Sequence, residues 1–357
     1  MKRDGWSVKR LGEVCEIKSG KSIEAQLIND IEDNSLYKCY GGNGLRGYVG
    51  TYMYDGLYPI IGRVGALCGN IHLAKGKFYA TEHALVVSIT SSVINPYWLT
   101  YNLTHLDLRK IAKGVAQPVI SAREVCGIPI PIPPLPEQSL IVEELDQLSS
   151  ILEKKRQQLS DLDNLAQSIF YEMFGDPVRN EKGWEVKRLG EVAKSIFAGG
   201  DKPKDYSEVM NGIYCYPIIA NGDGDKGVLG YAKSYKVGEK AVTLGARGAS
   251  IGNCRICEAY FTPIVRLITI IPDVYVNIVF LYYNIKRLSF NVSGAGQAQL
   301  TVPNVVNKQT ILPPLPLQQL FAQKVEAIEQ EKALIKQSIK EVQELLDSRM
   351  EEYFGGS

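Results

Sequence analysis

The chain has no run of about 18 apolar residues, so no segment is expected to cross a membrane. Met1-Lys2-Arg3-Asp4-Gly5-Trp6 has no apolar stretch behind it, so no signal peptide is expected there either. Cysteine is sparse and odd in number, seven in 357 residues, and only Cys254 and Cys257 lie close together. A single CxxC without a second pair is poor grounds for zinc. Buried, reduced thiols and a cytoplasmic location follow as expectations. Histidine is scarcer still: His72, His83 and His105 are the whole supply, and none has a triad partner by spacing. Gly20-Lys21-Ser22 imitates the end of a phosphate-binding loop, but the upstream glycine would fall at Cys15. Gly41-Gly42-Asn43-Gly44 does not match the GxGxxG that opens a dinucleotide-binding helix. No catalytic residue, no metal and no cofactor is therefore expected. What remains is ordinary soluble composition, 45% hydrophobic and 22% charged, at a length for about two domains.

The chain is written twice. Residues 5–14 read GWSVKRLGEV and residues 183–192 read GWEVKRLGEV, nine of ten identical. Ile132-Pro133-Pro134-Leu135-Pro136 returns as Leu312-Pro313-Pro314-Leu315-Pro316, and Phe174-Gly175 as Phe354-Gly355. Between these anchors the copies share only isolated marks, such as Gly65-Ala66 with Gly69-Asn70 against Gly248-Ala249 with Gly252-Asn253. A solenoid repeats every ~20–50 residues. A period this long means two whole domains of one fold, each with a fixed frame and a variable middle.

The net charge of +1 hides a segregation, with residues 1–135 at +4, 136–175 at −5, 176–315 at +5 and 316–357 at −3. Basic globular parts on acidic connectors suit a protein that holds a polyanion with the former. The connectors themselves read as helices. Proline is tolerated in a helix's first turn, so Pro136 and Pro316 mark starts, and Gly175 and Gly355 mark ends. In the first helix Ile141, Leu145, Leu148, Leu152, Lys155, Leu159, Leu162, Ala166, Ile169 and Met173 alternate spacings of four and three. In the second, Phe321, Val325, Ile328, Lys332, Ile335, Ile339, Val342, Leu346, Arg349 and Tyr353 do the same. Such a repeat is a coiled-coil seam. Each helix would run about 38 residues, roughly 57 Å. Its natural partner is its own copy in an antiparallel hairpin with a pseudo-twofold axis, because the short connector 175–182 cannot return along the rod. Leu140, Ile151, Leu165, Phe170, Leu320, Leu334 and Leu345 fall off the seam and suggest a second apolar face for partner helices.

The middles read as mixed α/β. Tyr58-Pro59-Ile60-Ile61, Ala84-Leu85-Val86-Val87 and Ile264-Val265-Arg266-Leu267-Ile268 predict strands, with turns at Gly41-Gly42-Asn43-Gly44 and Asn221-Gly222-Asp223-Gly224-Asp225. Helical stretches are predicted around 95–110 and 277–286. The fold class is thus α+β: two similar mixed α/β domains in tandem, 1–135 and 176–315, separated by an antiparallel coiled coil of the helices 136–175 and 316–357.

The repeated GW.VKRLGEV, the Gly-x-x-Gln at 114–117 and 294–297, the PPLPEQ-type helix start and the join Phe170-Tyr171-Glu172-Met173-Phe174-Gly175-Asp176-Pro177 resemble the DNA specificity subunit of type I restriction–modification enzymes. The resemblance implies two target recognition domains, each reading half of a bipartite asymmetric site in double-stranded DNA. It also implies two modification (methyltransferase) subunits docked on the helices and restriction subunits in the full complex. The Asn-Pro-Pro-aromatic motif of the methyltransferase partners does not occur here. Arginine suits guanine, asparagine and glutamine suit adenine, and lysine suits phosphate. Candidate DNA contacts on that logic are Arg46, Arg63, Lys75, Lys77, Lys113 and Gln117 in the first domain. In the second they are Lys226, Arg247, Arg255, Gln297 and Gln299. The alternatives are the recognition subunit of another multi-subunit restriction or defence system, and a structural coiled-coil adaptor.

Overall fold

The protein, as a computed structural model, is described over residues 5–114, 117–221, 227–290 and 299–355. It divides into two compact units, Met1–Arg156 with Gln337–Ser357, and Gln157–Lys336. The division differs from the sequential one because each long helix contributes one end to each unit.

The first unit opens with β1 (Ser7–Arg10), which pairs antiparallel with β8 (Pro129–Ile132), Ser7 opposite Ile132. This ladder ties the start of the domain to its end, directly ahead of the Pro133-Pro134 helix start. Between them come α1 (Leu11–Val14), β2 (Cys15–Ser19), β3 (Tyr37–Gly41), β4 (Gly44–Val49), β5 (Tyr54–Gly62), β6 (Ile71–Ala80), β7 (Ala84–Ile89), α2 (Pro96–His105) and α3 (Ala122–Cys126). Strands β2 to β7 form one six-stranded sheet in the order β2-β7-β5-β6-β3-β4. The apolar runs predicted as strands lie in β5 and β7, and the first four residues of β7 are fully buried. Trp98, Leu99 and Leu103 of α2 are fully buried and pack on this core with Leu11, Val14, Leu85 and Val87.

The second unit repeats the frame. After α4 (Leu135–Phe174), β9 (Glu185–Arg188) pairs with β17 (Gln309–Leu312) as β1 does with β8. Inside that clasp lie α5 (Leu189–Val192), β10 (Ala193–Ala198), β11 (Tyr216–Ile219), β12 (Val228–Ala232), β13 (Ala241–Leu244), β14 (Cys254–Cys257), β15 (Thr262–Pro263), β16 (Ile268–Pro272), α6 (Ile278–Ile285) and α7 (Val302–Val306). Here the sheet is in two pieces, β10-β16-β13-β14 and β12-β11-β15. The counterpart of β6 is broken into β14 and β15. In the first unit Gly76, at φ +76°, carries the bend without ending the strand; in the second, Tyr260 takes φ +68° and the ladder stops. The predicted strand over 264–268 needs correction: β16 begins at Ile268, and Val265 and Arg266 sit at φ +53° and +58°, outside any ladder.

Helix α8 (Leu315–Phe354) has 40 residues, as α4 has, so each extends about 60 Å at ~1.5 Å per residue. Within the first unit, Ile141, Val142 and Leu145 from the start of α4 share a core with Leu346, Met350 and Phe354 from the end of α8. Within the second, Phe170 and Phe174 from the end of α4 share a core with Phe321 and Val325 from the start of α8. Start meets end in both, so the pairing within each unit is antiparallel. Every one of the twenty seam positions is buried or half-buried. Leu140, Ile151, Leu165, Leu320, Leu334 and Leu345 are exposed, at 40–67%. Phe170 is not: it is 1% exposed and stacks on Phe280, so it belongs to the core and not to a free second face.

The buried Gln138 and Gln318 lock the helix starts. Gln138 accepts from Asn95 N at 2.8 Å and donates to Pro133 O and Val93 O, both at 2.8 Å. Gln318 accepts from Asn277 N at 2.8 Å and donates to Pro313 O at 2.7 Å. Asn95 and Asn277 are in turn the N-caps of α2 and α6. One side chain thus joins the first turn of a long helix to the first turn of the domain's own helix, in both units.

Candidate nucleic-acid interface

In the first unit four segments converge: the β3–β4 turn, the β5–β6 loop, the β6–β7 turn and, around the 113–119 bridge, the residues 113 and 117–120. Backbone hydrogen bonds hold them together. Gly62 N donates to Asn70 O and Gly69 N to Gly62 O, both at 2.8 Å, which closes the β5–β6 loop on itself. Arg63 N donates to His83 O at 2.9 Å, Gly65 N to Pro118 O at 3.1 Å, and Ile120 N to Arg63 O at 2.9 Å. Gly65 takes φ +88° with nothing within 4 Å of the position a Cβ would occupy. The backbone there faces open space, as close approach of a ligand would require.

Two shallow grooves cross this cluster. One, about 360 Å³, is lined by Gly42, Asn43, the residues 64–67, His83 and Gln117. The other, about 350 Å³, is lined by residues 41–46, Thr81 and His83. Of the predicted contacts, Gln117 and the exposed Arg46 line these grooves. Arg63 does not: its Nη1 donates to Glu82 O at 3.4 Å and its Nε is buried, so it braces the loop from within. Lys113 pairs with Glu124 at 2.6 Å. That lysine, with the Ser121 amide and hydroxyl, holds the Glu124 carboxyl down to about 2. Lys75 and Lys77 flank Gly76 on β6 and line neither groove; Lys77 lies 4.8 Å from the Tyr52 ring. Asn43 and His83 line both grooves and were not picked out from sequence, because only folding brings the β3–β4 and β6–β7 turns together.

The second unit builds the same knot from its own residues. Gly245 N donates to Asn253 O at 2.8 Å, Gly252 N to Gly245 O at 3.0 Å, and Leu300 N to Ala246 O at 3.0 Å. Gly248, at φ +64°, again has an empty Cβ position. Arg247 forms an antiparallel bridge with Gln299, as Val64 does with Val119 in the first unit. The Arg247 Nη2 donates to Gln299 Oε1 at 3.3 Å. Arg255 is turned inward, donating to Ala220 O at 3.2 Å and lying under Gly227, where a Cβ would meet its Nη1 at 2.4 Å. His72 holds the matching place under Gly44, where a Cβ would meet its ring at 2.8 Å, and burial pushes that imidazole below its ordinary range. The exposed Arg266 stands where His83 stands in the first unit, its amide donating to Gly199 O at 3.1 Å. Lys226 and Gln297 lie outside the described residues.

Among the described residues no group of three or more His, Cys, Asp or Glu is placed to hold a metal ion, and no helix is long and apolar enough to cross a membrane. All seven cysteines are unpaired. Burial pushes the Cys254 thiol up to about 11 and the Cys15 thiol up to about 12. Against the expectation of buried thiols, Cys215 is exposed just ahead of β11, while Cys126 and Cys254 are half-buried and pack against the cores of their units.

Fold and loop clusters together define a chain of two homologous units, each built on the start of one long helix and the end of the other. The family model for the type I restriction modification DNA specificity domain matches twice, over residues 3–161 and 181–344, and the chain belongs to that family. A protein of Mycoplasma pneumoniae assigned as a type I specificity subunit is 28% identical over 319 residues, 88% of this chain and 86% of that one. The specificity subunit of the type I restriction enzyme EcoprrI from Escherichia coli is 40% identical over 144 residues, 40% of this chain and 36% of that one. The same fold occurs in the S subunit of a type I restriction–modification system from M. genitalium, with a TM-score of 0.64 at 16% identity, covering 97% of this chain and 95% of that one. A second solved chain, from work on assembly and conformational transition of the type I system, gives a TM-score of 0.58 at 20% identity, covering 99% and 98%.

Proposed function

We propose that the chain is the non-catalytic specificity subunit of a type I restriction–modification complex. Each unit reads one half of a bipartite, asymmetric site in double-stranded DNA. The paired helices serve as spacer and as docking platform for two modification subunits, with restriction subunits joining the full complex. The observation that carries this reading is the loop cluster itself: the same backbone knot occurs in both units, while the side chains around it differ. A protein reading two unlike half-sites needs a constant frame and a variable edge.

Within that reading, Arg46, Asn43, Gln117 and His83 face bases in the first unit, and Arg247, Gln299 and Arg266 do so in the second. Gln297 belongs to the same group by sequence position, and Lys226 to the phosphate contacts. Lys75, Lys77 and Lys113 are assigned to phosphate, since lysine carries charge without the fork that reads a base edge. Arg63 and Arg255 are assigned to support of the loops that carry the others.

Co-expression of the full chain with the modification subunits of its own system, followed by methylome mapping, tests the proposal. A two-part motif with an unread spacer is expected. A single contiguous motif, or modification that persists without this chain, would refute it.

A further inference from the structure

Val64 and Arg247 occupy one position of the shared frame, as do Val119 and Gln299. Each pair forms the isolated bridge that joins the β-loop to the last loop of its unit. The flanking bonds match as well, Ile120 N to Arg63 O at 2.9 Å and Leu300 N to Ala246 O at 3.0 Å. The backbone is thus the same and the chemistry opposite: two valines in one unit, a hydrogen-bonded arginine and glutamine in the other.

We propose that Arg247, oriented by Gln299, reads a guanine in the half-site of the second unit, and that Val64 and Val119 withhold that reading from the first. The inference rests on the DNA-specificity reading above. Arg247 is half-buried, has no carboxylate partner among the described residues, and spends one guanidinium N–H on Gln299 Oε1 at 3.3 Å. The other four N–H groups have no partner among the described residues, and an edge of the fork matches the O6 and N7 acceptors of guanine. Gly248, next in the chain, offers bare backbone at φ +64°, with nothing among the described residues beyond its chain neighbours within 4 Å of its Cβ position. At the same place in the first unit the valines offer only apolar surface. That surface suits a thymine methyl and gives no hydrogen bond to guanine.

The test uses the assembled complex of the full chain with its modification subunits. The wild-type motif is mapped first, and duplexes carrying each of the four base pairs at every position of the second unit's half-site are then compared in binding. Arg247→Lys keeps the charge and removes the fork; Arg247→Val with Gln299→Val installs the first unit's pair. Both are expected to flatten a roughly ten- to hundredfold preference for one G·C pair, and to leave the other half-site as it was. A preference that survives in Arg247→Lys overturns the inference. So does a uniform loss on all duplexes with a shallower salt dependence, since that is the signature of a phosphate contact. A wild-type complex with no bipartite motif would refute the underlying function, a result distinct from either of these.

Discussion

The two units share a frame almost bond for bond and differ where a ligand would meet them. The glutamine locks, the β1–β8 and β9–β17 clasps and the glycine loops recur at matching positions. Gly47 and Gly230 show how strict the match is. A Cβ at either would lie 2.5 or 2.6 Å from the carbonyl oxygen of Asn29 or Ser207, so the same strap crosses the same strand in both units. The differences gather at the tips. The first unit turns from β3 to β4 through Gly42-Asn43, whereas in the second β11 ends at Ile219 and β12 begins only at Val228. Arg46, His83 and Val64 face Leu229, Arg266 and Arg247 as counterparts. Duplication with divergence thus conserved the residues that satisfy buried backbone and freed those that satisfy none.

The helix seam is where the units differ in their interior. Lys332 in the second unit is 12% exposed at its side chain and pairs with Asp163 at 2.8 Å and Glu329 at 2.7 Å. Its counterpart in the first is Leu152, 3% exposed, and the acids' counterparts are Gln343 and Ser149. Leu152→Lys would bury a charge with neither acid and is expected to cost about 3–5 kcal/mol. Lys332→Leu, the reverse exchange, releases two acids that are more than half exposed and is expected to change stability by no more than ~1 kcal/mol. Hydrogen exchange resolved by unit measures both, because a two-unit chain has no single unfolding free energy. Equal effects would show that the Lys332 cluster contributes nothing specific to its unit.

Gln138→Met and Gln318→Met test the shared frame next. Each strands an N-cap amide and at least one buried carbonyl, an expected loss of about 2–4 kcal/mol confined to its own unit. A large loss in one and none in the other would break the equivalence of the two locks.

The smallest effect is acidic. Lys113 and Ser121 hold the Glu124 carboxyl down to about 2, below its ordinary 4.5. What this cap adds to α3 is therefore present above 4.5 and is lost as pH falls from there toward 2. The second unit has Asn304 at the matching place, accepting from Thr301 N at 3.3 Å, and has nothing to titrate. Amide exchange at α3 should accelerate over that window while exchange at α7 stays flat. Lys113→Met should move the α3 transition to higher pH. A coincident change in both helices would mean that the acid sensitivity lies elsewhere.

How far the fold is legible in sequence depends on what each element answers to. The long helices answer to local chemistry, proline at the start, glycine at the end and a seam between, and both occupy nearly the predicted span. Strands such as β5 and β7 answer to their apolar runs. The run Ile264 to Ile268 carries a similar apolar signal, but the chain bends through positive φ at Val265 and Arg266, which no pattern of residue types reveals. Gln138 and Gln318 look like helix-start polar residues that would be solvated; their burial depends on the Asn95 and Asn277 amides, 43 and 41 residues earlier. Candidate site residues are harder again. Arg46, Gln117, Arg247 and Gln299 are found from glycine-rich context, whereas Asn43, His83 and Arg266 emerge only when separate turns meet, and Arg63 and Arg255 prove to face inward.

The central claim is that one frame, used twice, reads two half-sites independently, and a domain exchange tests it most directly. Residues 1–135 are replaced by the matching domain of a relative with a different motif, the chimera is expressed with the modification subunits, and the methylome is mapped. The account predicts a new first half-site, an unchanged second half-site and an unchanged spacer. Alteration of both half-sites by that single exchange would contradict it.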